Sequence, residues 1–364
     1  MKDCHSFFSI YIYLMICLFI VSCKNDGVPT VNVAQSMNNT DDVGIEEIVS
    51  DVQVVKLKCD SLYDITVFGE YDGCLYGKTV DNIMVIFSGE GQLLYKIDRR
   101  GRGPGEYVNP LFHFDYYRGE ILVLDALNKV LRYDRNGAFV EEISNNAVKA
   151  AGDIVPLSAD AYLATVISGL GRDSSLMYLD DDFNVTGYTM PVFNEAQLSR
   201  EGVTVMERLW YYNSSVMYQP FGEEEYYRYS DGRWMPYLRV NEGRYRMPAE
   251  LLTAVGMEDK QAEYIMPYRS CISGRYFLYS YTILDRMAIY FDIFDIAVGL
   301  RVAHNVYTEE DMMSGTGEGF FFRYDGCTCR IFPQYVWEGV MYWSQFDDDG
   351  TTTLFKLFTK SICE

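Results

Sequence analysis

The sequence predicts an all-β fold: a six-bladed β-propeller of four-stranded antiparallel blades, with a short helical insertion near 247–268. Three observations predict it. A hairpin motif returns at an interval of 46 residues, apolar strands fit four to each interval, and a spare strand near the N-terminus is placed to close a ring. Composition agrees: the 364 residues are 15% aromatic, with 31 Tyr and 21 Phe, side chains that cover a pleated face while a hydroxyl stays wet.

The repeat is clearest when Asn82–Ile97 (NIMVIFSGEGQLLYKI) is set above Asn128–Ile143 (NKVLRYDRNGAFVEEI). Phe87-Ser-Gly-Glu-Gly91 falls on Tyr133-Asp-Arg-Asn-Gly137, and Ile97 falls on Ile143. One further step reaches 174–189, where Phe183 takes the place of the turn glycine. Each reads as strand, tight polar turn, strand. Apolar stretches at 74–80, 120–125 and 161–168 precede the hairpins, with shorter candidates at 64–70 and 112–118. Hairpins at 225–240, 287–304 and 339–359 continue the pattern, which makes six. The 247–268 segment breaks the rhythm, and its apolar spacing suggests a helix. The strand at 47–59 has no hairpin of its own and is expected to pair with the last one, leaving no bare edge in the final blade.

The first residues carry an address rather than a fold. Phe7–Val21 is an almost unbroken apolar run, short for a bilayer span and fitting for an export signal. It ends in Ile20-Val21-Ser22-Cys23, which resembles a bacterial lipobox. The expected organisation is a signal peptide over 1–22, lipidation at Cys23, a flexible tether over 23–46, and the propeller over 47–364. Six cysteines then remain, Cys59, Cys74, Cys271, Cys327, Cys329 and Cys363, and they admit 15 pairings.

The 101–143 segment resembles an NHL repeat. The shared parts are Gly-x-Gly-Pro-Gly-Glu-Tyr at 101–107, Pro110, Val123-Leu124-Asp125 followed by Asn128, and the aromatic-Asp-x-x-Gly hairpin of 133–137. Together with the lipobox, the chain resembles the six-bladed β-propeller lipoproteins of Bacteroidetes. That resemblance implies a fold and a place in the cell envelope, as an outer-membrane lipoprotein on the periplasmic face or the cell surface. It implies no particular activity.

A net charge of −21 argues against nucleic-acid binding, which needs many cations against phosphate. The densest basic cluster is Arg99, Arg100 and Arg102, within Ile97–Tyr107 (IDRRGRGPGEY). Its glycines do not lead into a helix, as a phosphate cradle requires. It reads instead as a joint between blades, and its arginines are candidates to bind an anionic group. Tyr107 and His113 are the nearest polar partners, and with Arg102 they form the one nearby His, Tyr and Arg trio of the kind a lyase needs. No metal site or cofactor is expected. Two histidines in the body supply zinc poorly, and Asp180-x-Asp182-x-Asn184 leaves the calcium-loop pattern at Val185 and Pro191. No Gly-x-Ser-x-Gly elbow occurs. The expected function is a ligand- or protein-binding module with an unknown protein or glycan partner, anchored to the membrane by its N-terminal lipid. The alternative is a carbohydrate-processing lyase or hydrolase on the same scaffold.

Overall fold

The computed structural model describes residues 27–37, 42–59, 64–125, 127–166, 174–191, 208–212, 215–220, 222–248, 250–251, 258–314, 317–347 and 350–360. The proposed signal peptide, Cys23 and Cys363 lie outside them.

Six antiparallel sheets follow one another along the chain. Blade 1 is Ile65–Tyr71, Cys74–Thr79, Met84–Ser88 and Leu93–Ile97. Blade 2 is Pro110–Asp115, Glu120–Asp125, Lys129–Asp134 and Phe139–Ile143. Blade 3 is Ala151–Ser158, Ala161–Val166, Ser174–Asp180 and Val185–Pro191. Blade 4 is Arg208–Tyr212, Ser215–Gln219, Glu225–Ser230 and Arg233–Asn241. Blade 5 is Met266–Ser273, Tyr276–Ile283, Ala288–Asp295 and Leu300–Tyr307. Blade 6 takes Tyr335–Trp337, Val340–Phe346 and Thr352–Thr359 from the C-terminal end. Its outer strand is Val49–Leu57, which pairs antiparallel with Thr352–Thr359 from Val49↔Thr359 to Leu57↔Thr352. The ring therefore closes as the spare strand predicts.

The repeat has a local cause. In each blade the turn between the last two strands of the hairpin has a residue with positive φ at the same place, Gly91, Gly137, Phe183, Gly232, Gly299 and Gly350, and blade 4 adds Asp231 beside Gly232. At Gly137, φ is +81°, and a Cβ there would stand 2.3 Å from Ile97 Cδ1 of the neighbouring blade. Blade 3 fills the position with Phe183 at φ 58°. Its ring is fully buried and stacks on Tyr162 at 4.5 Å, which offsets a backbone strained for a side chain.

Three features depart from expectation. The 23–46 segment is not a free tether where it is described. Thr30–Asn32 adds to blade 4 as a parallel fifth strand, Thr30 opposite Arg239. A helical turn, Val33–Ser36, follows, and Val43 forms an isolated bridge to His304 of blade 5. The physical reason is apolar side chains hidden in a polar stretch. Val31 and Val33 are fully buried and Met37 nearly so, each contributing about 1.5–3 kcal/mol. An extra hairpin, Phe320–Tyr324 with Cys327–Ile331, stands between blades 5 and 6. The expected helical insertion is represented among the described residues by one short helix, Glu258–Gln261.

Candidate axial site

The first strand of each blade faces the ring axis, and these strands enclose a cavity of about 440 Å³. That volume suits a small ligand. Period-2 alternation sends every second side chain of an inner strand inward. The walls are rich in aromatic rings: Phe68 and Phe112 stack at 5.3 Å, with Trp210, Phe332 and Tyr335 around them.

The polar groups are few and come from separate blades. His113 of blade 2 places Nε2 2.8 Å from Asp153 Oδ1 of blade 3. Burial would lower the imidazole pKa, but the charge of Asp153 and its hydrogen bond outweigh burial and raise it. Arg269 of blade 5 lies 5.6 Å from the Phe332 ring centroid, and its Nη2 meets Glu318 Oε1 at 2.6 Å. Trp210 Nε1 and Tyr335 Oη are buried and have no hydrogen-bond partner among the described residues. Buried polar groups are ordinarily paired, so these two lining groups are positions where a ligand or water is needed.

An aromatic septum closes one end. Tyr116 stacks on Trp337 with ring centres 3.6 Å apart and planes 6° from parallel. Tyr211 meets both edge-on, at 6.0 and 5.9 Å, and its hydroxyl donates to the Pro156 carbonyl. Burial pushes the Tyr116 and Tyr211 hydroxyls well above the ordinary tyrosine range, so they stay neutral. Beyond the septum is a second cleft, about 550 Å³, at the seam where blade 6 meets blade 1. There Glu70 Oε2 accepts from Lys356 Nζ at 2.7 Å and from the Tyr342 hydroxyl at 2.8 Å, tying the seam together.

Of the five ligand-binding residues expected from sequence, Arg99, Arg100, Arg102, Tyr107 and His113, only His113 reaches the cavity. Tyr107 is fully buried, packs edge-on against Phe112 at 5.4 Å, and donates its hydroxyl to the Asn82 carbonyl at 2.9 Å. Arg99, Arg100 and Arg102 are exposed on the joint. Arg100 is engaged with Asp98 through two contacts, 2.8 and 2.6 Å. The trio Arg102, Tyr107 and His113 is therefore not assembled: Tyr107 stands a layer behind the wall with its hydroxyl already used. The joint itself forms as expected between Leu93–Ile97 of blade 1 and Pro110–Asp115 of blade 2. Glu106 Oε2 accepts from Gly103 N at 2.7 Å, and Gly105 (φ +66°) lies where a Cβ would meet the Phe139 ring at 2.8 Å. Asp153, Arg269 and Tyr335 carry no local motif, and only knowledge of which strands face the axis singles them out; Trp210 stands in the aromatic run Trp210-Tyr-Tyr212, which the sequence does offer as material for stacking on a sugar.

The family model described as Domain of unknown function (DUF4934) matches residues 28–299. The chain belongs to this DUF4934 family. The match begins at Val28, inside the segment that docks on blades 4 and 5. A crystal structure of a candidate exported protein from Bacteroides fragilis is similar in fold, with a TM-score of 0.63 at 15% identity. The similarity covers 92% of this chain and 100% of that one. The C-terminal WD40 domain of Sif2 gives a TM-score of 0.36 at 10% identity over 68% of each chain, too low to support an argument. No curated protein matches the chain. Among the described residues no helix is long and apolar enough to cross a membrane.

Proposed function

We propose that this DUF4934 chain is an exported, lipid-anchored binding module that seats a ring-bearing, oxygen-rich ligand, such as a glycan unit, in its axial cavity. The observation that carries the reading is the pair of unsatisfied donors, Trp210 Nε1–H and Tyr335 Oη–H, in an aromatic-walled cavity. Aromatic faces cover the apolar faces of a sugar, and fixed donors take its oxygens. Export and anchoring are supported by the apolar run before Cys23 and by the fold shared with the Bacteroides fragilis protein. Exposed Arg99 and Arg102 offer a further contact for an anionic group outside the cavity.

Calorimetry and thermal shift against neutral sugars, uronic acids and aromatic carboxylates test this. Tyr335→Phe keeps the ring and removes the donor, so affinity is expected to fall about 2- to 12-fold, one hydrogen bond's worth. Binding unchanged in this variant, or no binding across the panel, removes the reading.

The His113–Asp153 pair favours a second reading, a carbohydrate-processing lyase or hydrolase in which the imidazole moves a proton. Turnover of an anionic polysaccharide that is abolished by His113→Ala distinguishes it from binding alone.

A further inference from the structure

The seating of the N-terminal segment limits how the ring can stand on a membrane. Pro29 is already fixed to blade 4, its carbonyl accepting from Arg239 N at 2.8 Å. Six peptide steps separate Cys23 from Pro29, so the two lie at most about 20 Å apart even at full extension. A body of this size has a radius of gyration of about 20 Å. A leash no longer than that radius cannot let the ring roll until its far side meets the lipid. A tether free as far as Val49 would have reached about 90 Å and imposed no orientation.

The surface beside the fixed point has the right chemistry. The Ile296–Gly299 turn of blade 5 comes so close to Thr30 that a Cβ on Gly299 would stand 2.4 Å from its carbonyl oxygen. On this tip Val298 is 62% and Leu300 64% exposed, and Ala297 is also exposed. Gly27 and Pro29, at the start of the described strap, are exposed and uncharged as well. In a chain of net charge −21, an uncharged apolar tip next to the leash is where a bilayer is tolerated.

We propose that the ring is held edge-on, with the corner formed by Val298, Leu300 and Pro29 against the lipid headgroups. The ring axis then lies parallel to the membrane plane, so the bilayer covers neither face of the ring. The inference rests on lipidation at Cys23 and adds the orientation.

The test uses the full chain, acylated in a bacterial host and reconstituted into phosphatidylethanolamine/phosphatidylglycerol vesicles carrying a headgroup-level photoactivatable lipid. Mass spectrometry locates the labels. A several-fold excess is expected on 297–300 over Leu94, Tyr95 and Val140, which are apolar and 44–49% exposed on blades 1 and 2. Equal labelling of the two sets overturns the proposal, since apolarity alone would produce it. Inserting about twenty Gly/Ser residues between Asp26 and Gly27 adds about 25 Å of typical reach and is expected to erase the excess. An excess that survives the insert overturns the leash as its cause. The N-terminal peptide, read in the same spectra, separates the two ideas. Missing acylation at Cys23 brings down the anchor itself, whereas acylated protein with even labelling brings down only the orientation.

Discussion

Blades 1 to 3 and blades 4 to 6 are built from the same four-stranded unit but are finished differently. In the first half each sheet is four consecutive strands, and the outer strands of blades 1 and 2 leave Leu94, Tyr95, Phe139 and Val140 exposed. In the second half one N-terminal segment covers the outer edge of three successive blades. It adds Thr30–Asn32 to blade 4, bridges Val43 to His304 of blade 5, and supplies Val49–Leu57 to blade 6. An open strand edge is a template for unwanted pairing, and the segment removes that hazard where the ring closes. Away from the blade 6–blade 1 seam, the first half is thus closed by strands near in sequence, whereas the outer edges of the second half are covered by strands brought from the other end of the chain.

The largest expected effect separates the halves directly. Deleting residues 27–43 removes the buried side chains of Val31, Val33 and Met37, at roughly 1.5–3 kcal/mol each. Hydrogen exchange is expected to show lost protection in Arg233–Asn241 and Leu300–Tyr307. Phe139–Ile143 and Val185–Pro191 should keep theirs. Uniform loss around the ring erases the distinction.

The same division governs what the sequence discloses. The repeat is legible because one backbone position per blade must adopt positive φ, and glycine marks it at 91, 137, 232, 299 and 350. Blade 3 is harder to see because Phe183 meets that demand through burial. The fifth strand of blade 4 is not legible, since Thr30–Asn32 is three residues long and pairs with residues some two hundred positions away. The axial site is dispersed in the same way. His113, Asp153, Trp210, Arg269 and Tyr335 come from five inner strands and meet only in the closed ring. The arginines of the joint stand out because they are clustered in sequence, and the structure leaves them exposed on the joint rather than in the cavity. Cysteine pairing was open from sequence, and Cys59 and Cys74 stand as unbridged thiols.

Buried charge sharpens the comparison. In blade 5, Asp292 is fully buried and receives His304 Nδ1 at 2.6 Å, the Tyr281 hydroxyl at 2.9 Å and Arg301 Nη1 at 3.3 Å. Arg301 also donates to the Ser36 carbonyl of the N-terminal segment at 2.8 Å. Blade 2 has Arg132, nearly as buried, which meets Glu141 at 2.5 Å, Asp181 at 3.0 Å and Glu120 at 3.2 Å. Asp292→Ala removes the buried carboxylate that Arg301, His304 and Tyr281 share and is expected to cost about 3–5 kcal/mol. Arg132→Met leaves Glu141 and Asp181, which reach water, and buries only the Glu120 Oε2 unpaired, so a smaller loss, about 1–2 kcal/mol, is expected. Urea melts of both variants decide it. Equal losses mean that the second half is no more dependent on its buried network than the first.

The smallest effect is a difference of sign. Glu242 follows the outer strand of blade 4, and burial pushes its carboxyl up to about 7, against the hydrogen bond from the Tyr279 hydroxyl at 2.7 Å. The folded protein therefore keeps this proton after the unfolded chain has lost it near 4.5. Its contribution to stability falls as pH rises from 4.5 to 7 and is constant above. Glu242→Gln keeps an acceptor for Tyr279 without the charge. It is expected to be more stable than the natural chain by about 1–2 kcal/mol at pH 8, the shift being discounted for partial exposure, and no more stable at pH 4. Near the end of the corresponding strand of blade 2, Glu142 pairs with Lys129 at 3.2 Å. Glu142→Gln is accordingly expected to lose up to about 1 kcal/mol at pH 8. Denaturant melts at both pH values read the two signs, and a Glu242→Gln gain that persists at pH 4 would show that packing rather than a buried charge sets the cost in the second half of the ring.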